Sequence, residues 1–132
     1  MASIFSKIVA GEIPCHKVAE DEKHLAFLDI SPLVMGHVLV IPKKEVDYIF
    51  DMDDESYLDL QAFVKKVASG LKKAIPCERI GITVMGLEVP HTHVHLIPFT
   101  SIDDMNFSRP KLKLSAEQLD DIAQKISTEM AL

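Results

Sequence analysis

His91-Thr92-His93-Val94-His95-Leu96-Ile97-Pro98 alternates polar and apolar residues with a period of two. On a strand that period sends the three imidazoles to one face and Thr92, Val94 and Leu96 to the other. The apolar side is core. The opposite side is a row of titratable rings that holds half of the chain's six histidines. Thr, Lys or Glu would serve a merely solvated face as well, so the row is expected to meet something polar.

A strand needs neighbours, and the flanking sequence supplies them. Arg79–Val84 precedes it, and three short segments, His16–Ala19, Leu25–Asp29 and His37–Ile41, lie further upstream. The acidic turn Glu20-Asp21-Glu22 and the Ser31-Pro32 break separate these three at hairpin spacing, too short for helical crossovers, so their pairing is antiparallel. From Asp53 to Ala74 the period changes to 3.6, with Tyr57, Leu60, Phe63, Val64, Val67, Leu71 and Ala74 on one face. Asp53, Asp54 and Glu55 open this helix and Lys72 and Lys73 close it, each placement favoured by the helix dipole, and Pro76 stops it. A short helix over Ile4–Ala10 is capped by Ser3 and ended by Gly11. Ser115 and Gln118 form a capping-box pattern for a closing helix through Leu119, Ile122, Ala123, Ile126 and Met130. The fold class is α+β: an antiparallel sheet of about five strands, with the long helix packed on one face and a C-terminal helix after it.

The chain has 132 residues, 48% of them apolar, and no linker or repeat, which predicts one domain over 1–132. A net charge of −6 argues against a groove for nucleic-acid phosphates, while leaving room for a small anionic ligand. Cys15 and Cys77 are too few for a disulfide framework and fit a reducing compartment. Neither a secretory leader nor a membrane-spanning run is visible, which places the expectation in the cytoplasm, with no membrane partner.

Three readings of the histidine row stand side by side. It is a polar outer face; or it holds a metal ion; or it is a phosphate site, in which one neutral imidazole attacks phosphorus while its neighbours donate hydrogen bonds to the oxygens. In a straight strand His91 and His95 lie about 13 Å apart, too far for three rings to meet on one zinc. Glu88 or His37 would have to complete a metal set. An ordinary histidine pKa near 6.5 keeps neutral base available at pH 7 for the third reading.

The pattern of alternating histidines resembles the signature of the histidine triad family of nucleotide hydrolases and transferases. The likeness extends, in the same order, to Ile4-Phe5-Ser6-Lys7-Ile8, Gly11-Glu12-Ile13-Pro14, Ala26-Phe27-Leu28-Asp29-Ile30-Ser31-Pro32 and Gly36-His37-Val38-Leu39-Val40-Ile41-Pro42-Lys43-Lys44. It covers residues 4–98 and points to the nucleotide-binding, phosphoramidase-like branch.

By that resemblance His93 is the nucleophile, forming a nucleotidyl-histidine intermediate that water then hydrolyses. His91 orients it through a backbone carbonyl, His95 bonds the phosphate oxygens or the leaving group, and His37 is the family's fourth histidine. Phe5, Ile8, Phe27 and Ile30 match the apolar base slot, and Asp29 the acid that accepts from both ribose hydroxyls. The implied activity is cleavage of nucleoside 5′-phosphoramidates or related nucleotidyl compounds to a nucleoside monophosphate, with a purine nucleotide as substrate and a homodimer as the assembly. The alternatives are a dinucleoside polyphosphate hydrolase and a catalytically weak nucleotide-binding module. No cofactor is implied. Related proteins that carry structural zinc use Cys-x-x-Cys near the N-terminus; here Ser3 and Ser6 occupy that spacing, so no metal is expected. The chain departs from the pattern at Leu87 and Glu88, where a Gln and a hydroxyl residue would contact phosphate, and Glu88 is a candidate reader of a cationic leaving group. Residues 99–114 either fold over the site or connect to the last helix, and the connector is the expectation.

Overall fold

The computed structural model describes residues 2–130. Five antiparallel strands, β1 (Lys17–Glu20), β2 (His24–Leu28), β3 (Val38–Pro42), β4 (Arg79–Thr83) and β5 (Val94–Phe99), form one sheet in the order β1-β2-β3-β5-β4. The first three are a meander joined by tight connections. The return from β3 to β4 runs through the long helix, and β5 then inserts between β3 and β4. The strand that carries the histidines is therefore internal, paired on both sides, while β4 is left at an edge.

Helix α1 (Ile4–Val9) starts where Ser3 Oγ accepts the Ser6 amide at 3.0 Å, the capping bond that its sequence promises. Helix α2 (Asp54–Ala74) is capped by Asp53 through the Ser56 amide, and its buried face is Leu60, Phe63, Val64, Val67, Gly70, Leu71 and Ala74. Helix α3 (Ala116–Met130) begins at the Ser115–Gln118 box, both of whose bonds are made, at 2.9 and 3.1 Å. Two short 3-10 turns, Ile49–Asp51 and Ile102–Met105, carry no periodic signature in the sequence.

The sheet is buried on both faces, each for its own reason. One face presents Val18, Ala26, Leu28, Val38, Val40, Val94 and Leu96 to α2 and α3 and forms the main core. The other presents Leu25, Phe27, Leu39 and Ile41, which gather with Phe5 of α1 into a smaller apolar cluster. Burying one such side chain contributes roughly 1.5–3 kcal/mol, so the two layers together dominate the stability of the domain. No helix among the described residues is long and apolar enough to cross a membrane.

The regular ladder of β5 begins at Val94, three residues later than the alternation alone implies, because Thr92 bonds elsewhere. Its amide and its hydroxyl both donate to the Val46 carbonyl, at 2.6 and 2.7 Å. His91 and His93 thus lie on an irregular approach to the strand, anchored by Thr92, rather than on the strand itself.

Candidate active site

The four histidines singled out in the sequence meet on the α1 side of the sheet, all of them buried. Their tautomers follow from which partner can donate. The Nε2 of His91 lies 2.8 Å from the Pro42 carbonyl, which only accepts, so that nitrogen carries the proton. Its Nδ1 is then an acceptor, 2.9 Å from Ser3 Oγ. By the same logic His93 Nδ1 donates to the carbonyl of His91 at 2.8 Å, so the lone pair of the neutral His93 imidazole is on Nε2.

His37 stands in the turn just before β3, where Gly36 at φ +89° reverses the chain. The Leu33 amide donates to its Nδ1 at 3.0 Å, so Nε2 carries the proton and donates to His95 Nδ1 at 2.9 Å. His95 is thereby left with its proton on Nε2, a donor, while the adjacent His93 presents an acceptor. The two rings sit edge to face with centroids 5.1 Å apart. Burial holds His37 down at about 3 and His95 at about 4, the neighbouring positive charges adding to desolvation. Burial also lowers His91, against the opposing pull of the Pro42 carbonyl. His37, His91 and His95 are therefore neutral at pH 7.

Asp29 lies at the end of β2 with one carboxylate oxygen 3.7 Å from His37 Nε2 and the other accepting the Ser31 amide at 2.9 Å. Burial pushes its carboxyl up, with that amide pulling the other way. Phe5 and Phe27 pack at 5.7 Å between ring centroids, with Ile8 beside them, and Phe5 also meets the His93 ring edge at 4.9 Å. Phe5, Ile8 and Phe27, three of the four residues read as the base slot, are thus packed together. Ile30 is 69% exposed and stands outside this cluster.

Side chains of Asp29, His37 and His95 offer ligand atoms within 4.8 Å of one another, a spacing that could hold a metal ion. The surrounding hydrogen bonds argue for a proton instead. A metal-bound imidazole donates its remote N–H to an acceptor, whereas the remote nitrogen of His37 faces the Leu33 amide, itself a donor. Neither Glu88, which is exposed, nor His91 belongs to this group, so the metal arrangement weighed from the sequence is not the one the fold brings together.

The segment after β5 is more than a connector. Ser101 and Asp104 close a capping box, Arg109 pairs with Asp104 at 3.2 Å, and the chain so folded lays Phe107 edge-on against His95 at 5.0 Å and His37 at 6.1 Å. Lys111 donates to the carbonyls of Phe107 and Arg109, and its charge acts on both Asp29 and His37. An isolated aromatic residue in an otherwise polar stretch was the available signal for Phe107. Lys111 and the Leu33 amide gave none.

Residues 10–101 match the family model described as HIT domain. An uncharacterised HIT-like protein of Borreliella burgdorferi is 39% identical, the match covering 94% of this chain and 95% of that protein. The adenosine 5′-monophosphoramidase of Schizosaccharomyces pombe is 37% identical over 98% of this chain and 99% of its own. Among solved structures, a Hit-like protein from Bartonella henselae superposes with a TM-score of 0.83 at 32% identity, covering 96% of this chain and 95% of that one.

Proposed function

Because the chain belongs to the HIT domain family, we propose that it hydrolyses nucleoside 5′-phosphoramidates or related nucleotidyl compounds through a nucleotidyl-His93 intermediate. The carrying observation is the 2.8 Å bond from His93 Nδ1 to the His91 carbonyl, which puts the lone pair of the neutral ring on Nε2, in a ring 5.1 Å from that of His95. The near-full-length likeness to a named adenosine 5′-monophosphoramidase supports the same substrate class.

In the first step His93 Nε2 attacks the α-phosphorus, the P–N bond breaks, and the amine departs with a proton taken from solvent. In the second, water attacks the same phosphorus, returns a proton to solvent, and His93 leaves with its lone pair restored. Across both steps the hydroxyl of water ends on phosphorus and the protons balance. His91 keeps the nucleophile's other nitrogen protonated, so the developing imidazolium charge is met by a carbonyl dipole. His95 Nε2–H bonds a phosphoryl oxygen as negative charge develops there; removing a single donor of that kind costs about 100- to 1,000-fold in rate. His37 fixes His95 in the donating tautomer. A purine base lies on Phe5, Ile8, Phe27 and Ile30, and the Asp29 carboxylate accepts from both ribose hydroxyls, each charge-assisted bond being worth about 1.5–3 kcal/mol.

The chain acts as a homodimer. Strand β4 is an open edge, and Ile82, Met85 and Leu87, on it and on the loop that follows, are 52%, 48% and 93% exposed, an apolar strip suited to a second copy.

Mass spectrometry at neutral pH after brief mixing with a nucleoside phosphoramidate tests the chemistry. Wild type is expected to carry a nucleotidyl adduct and to release the monophosphate, and His93→Ala to do neither. Turnover by His93→Ala would reject the mechanism.

A further inference from the structure

Ser3, Ser6 and Glu45 form a compact polar cluster on the far side of the His91 ring, which the reaction as described leaves without a role. Glu45 Oε1 accepts both the Ser3 amide and the Ser6 hydroxyl at 2.7 Å, across 42 and 39 residues of sequence. Ser3 Oγ accepts the Ser6 amide at 3.0 Å, and its hydroxyl proton goes to His91 Nδ1 at 2.9 Å, because the Pro42 carbonyl already claims the imidazole's own proton. The His91 ring is therefore clamped between the start of α1 and the end of β3. One turn along α1, Phe5 meets the rings of His91 and His93, with centroids 5.9 and 4.9 Å away.

A helix of six residues has little stability of its own and takes its place from what holds its ends. Here one hydroxyl performs two tasks, capping α1 and donating to the Nδ1 lone pair that the Pro42 carbonyl leaves on His91. The cap alone could be supplied by Asp, Asn or Thr. The bond to His91 Nδ1 needs a donor as well: the hydroxyl of Thr supplies one, whereas the carboxylate of Asp accepts and never donates when ionised.

We propose that Ser3, backed by Ser6 and Glu45, is a positioning residue that ties the seating of α1, and with it the base slot, to the alignment of the nucleophile through His91. This rests on the reading of His93 as nucleophile. The link runs from the Glu45 carboxylate to the Ser3 backbone, from the Ser3 hydroxyl to His91 Nδ1, and from the His91 carbonyl to His93 Nδ1–H. Binding of a base against Phe5 and orientation of the attacking nitrogen thus depend on one docked helix.

The test compares Ser3→Asp, which keeps the helix cap but loses the donor, with Ser3→Thr, which keeps both. Ser3→Asp is expected to melt close to wild type while kcat on a nucleoside phosphoramidate falls about tenfold, with KM changed less than about threefold. Ser3→Thr is expected to retain kcat within about threefold. Nitrogen-15 NMR of the ligand-free proteins reads the link directly: His91 Nδ1 is unprotonated in wild type and in Ser3→Thr, and protonated in Ser3→Asp. Wild-type kcat in Ser3→Asp would overturn the proposal, as would a wild-type His91 with its proton on Nδ1, a result that stands even if Ser3→Asp fails to fold. Equal loss of kcat in both variants would also overturn it. If wild type releases no monophosphate, the hydrolase reading fails, and the tautomer measurement still decides the clamp.

Discussion

Lowering the pH from 7 to 5 should destabilise the ligand-free protein steeply, before most carboxylates begin to titrate. The cause is the pair His37 and His95, 1% and 7% exposed, whose values fall from 6.5 to about 3 and about 4. A histidine depressed in the folded state binds its proton later than in the unfolded chain. The unfolded state therefore holds more protons throughout the window between 6.5 and the folded value, and stability falls as pH falls through it. Integrated from pH 7 to pH 5, each histidine removes about 2 kcal/mol, and the pair about 4 kcal/mol. His91, also lowered by burial, adds to the same side. Glu45, held down at about 2 by the Ser3 amide and the Ser6 hydroxyl, acts in the same direction but only below pH 4.5. Against a typical domain stability of 5–15 kcal/mol, and at a usual urea slope of about 2 kcal/mol per molar, the midpoint should drop by about 2 M. Urea titrations followed by far-ultraviolet circular dichroism at half-unit pH steps measure this. A midpoint constant to within about 0.3 M from pH 7 to 5 would refute the tautomer assignments, since it would mean that the rings protonate in place.

Phe107→Ala opens the edge of the His37–His95 pair to water, so the His95 value should rise toward 6.5 in an NMR titration; an unmoved value would remove Phe107 from the site. Truncating this half-buried ring should also cost about 1–2 kcal/mol in chemical denaturation, less than the 3–5 kcal/mol of a fully buried aromatic. Gly36→Ala forces a side chain onto a residue at φ +89°, with its Cβ 2.9 Å from Ile75 Cγ1 and 3.2 Å from Pro98 Cγ, and should destabilise by about 2 kcal/mol or more. Ile82→Glu puts a charge on the open edge of the sheet and should convert a sedimenting dimer to monomer; a wild type already monomeric would discard that interface.

The sheet, both long helices and their caps were legible because each is written locally: a period of two, a period of 3.6, an acid before a helix, a Ser three residues ahead of a Gln. The gathering of Phe5, Phe27 and Asp29 with the triad was visible only through likeness to a family, since apolar residues at strand spacing look the same whether they line a slot or a core. The His37–His95 bond joins residues 58 apart. It depends on the register that sets Leu39 opposite His95, which no local pattern encodes. Phe107 reaches the same pair only because the turn at Ile102–Met105 folds the chain back. Ile30 lies just past the end of β2, where the alternation loses its hold, and the turn closed by Asp29 and the Ser31 amide leaves its side chain exposed.

Backbone groups, more than side chains, place the protons in this site. The Pro42 carbonyl sets His91, the His91 carbonyl sets His93, and the Leu33 amide sets His37, which in turn sets His95. Main-chain donors and acceptors cannot be altered by substituting the residue that bears them, except by proline, and they move only if the turn or strand moves. A site built this way holds one pattern of hydrogen bonds: Nδ1 of His93 donates to a carbonyl, and Nδ1 of His95 accepts from His37. Ser3 works differently, donating to His91 Nδ1 from a side chain outside the histidine set. Losing that hydroxyl should therefore change the chemistry more than its position at the margin of the fold implies.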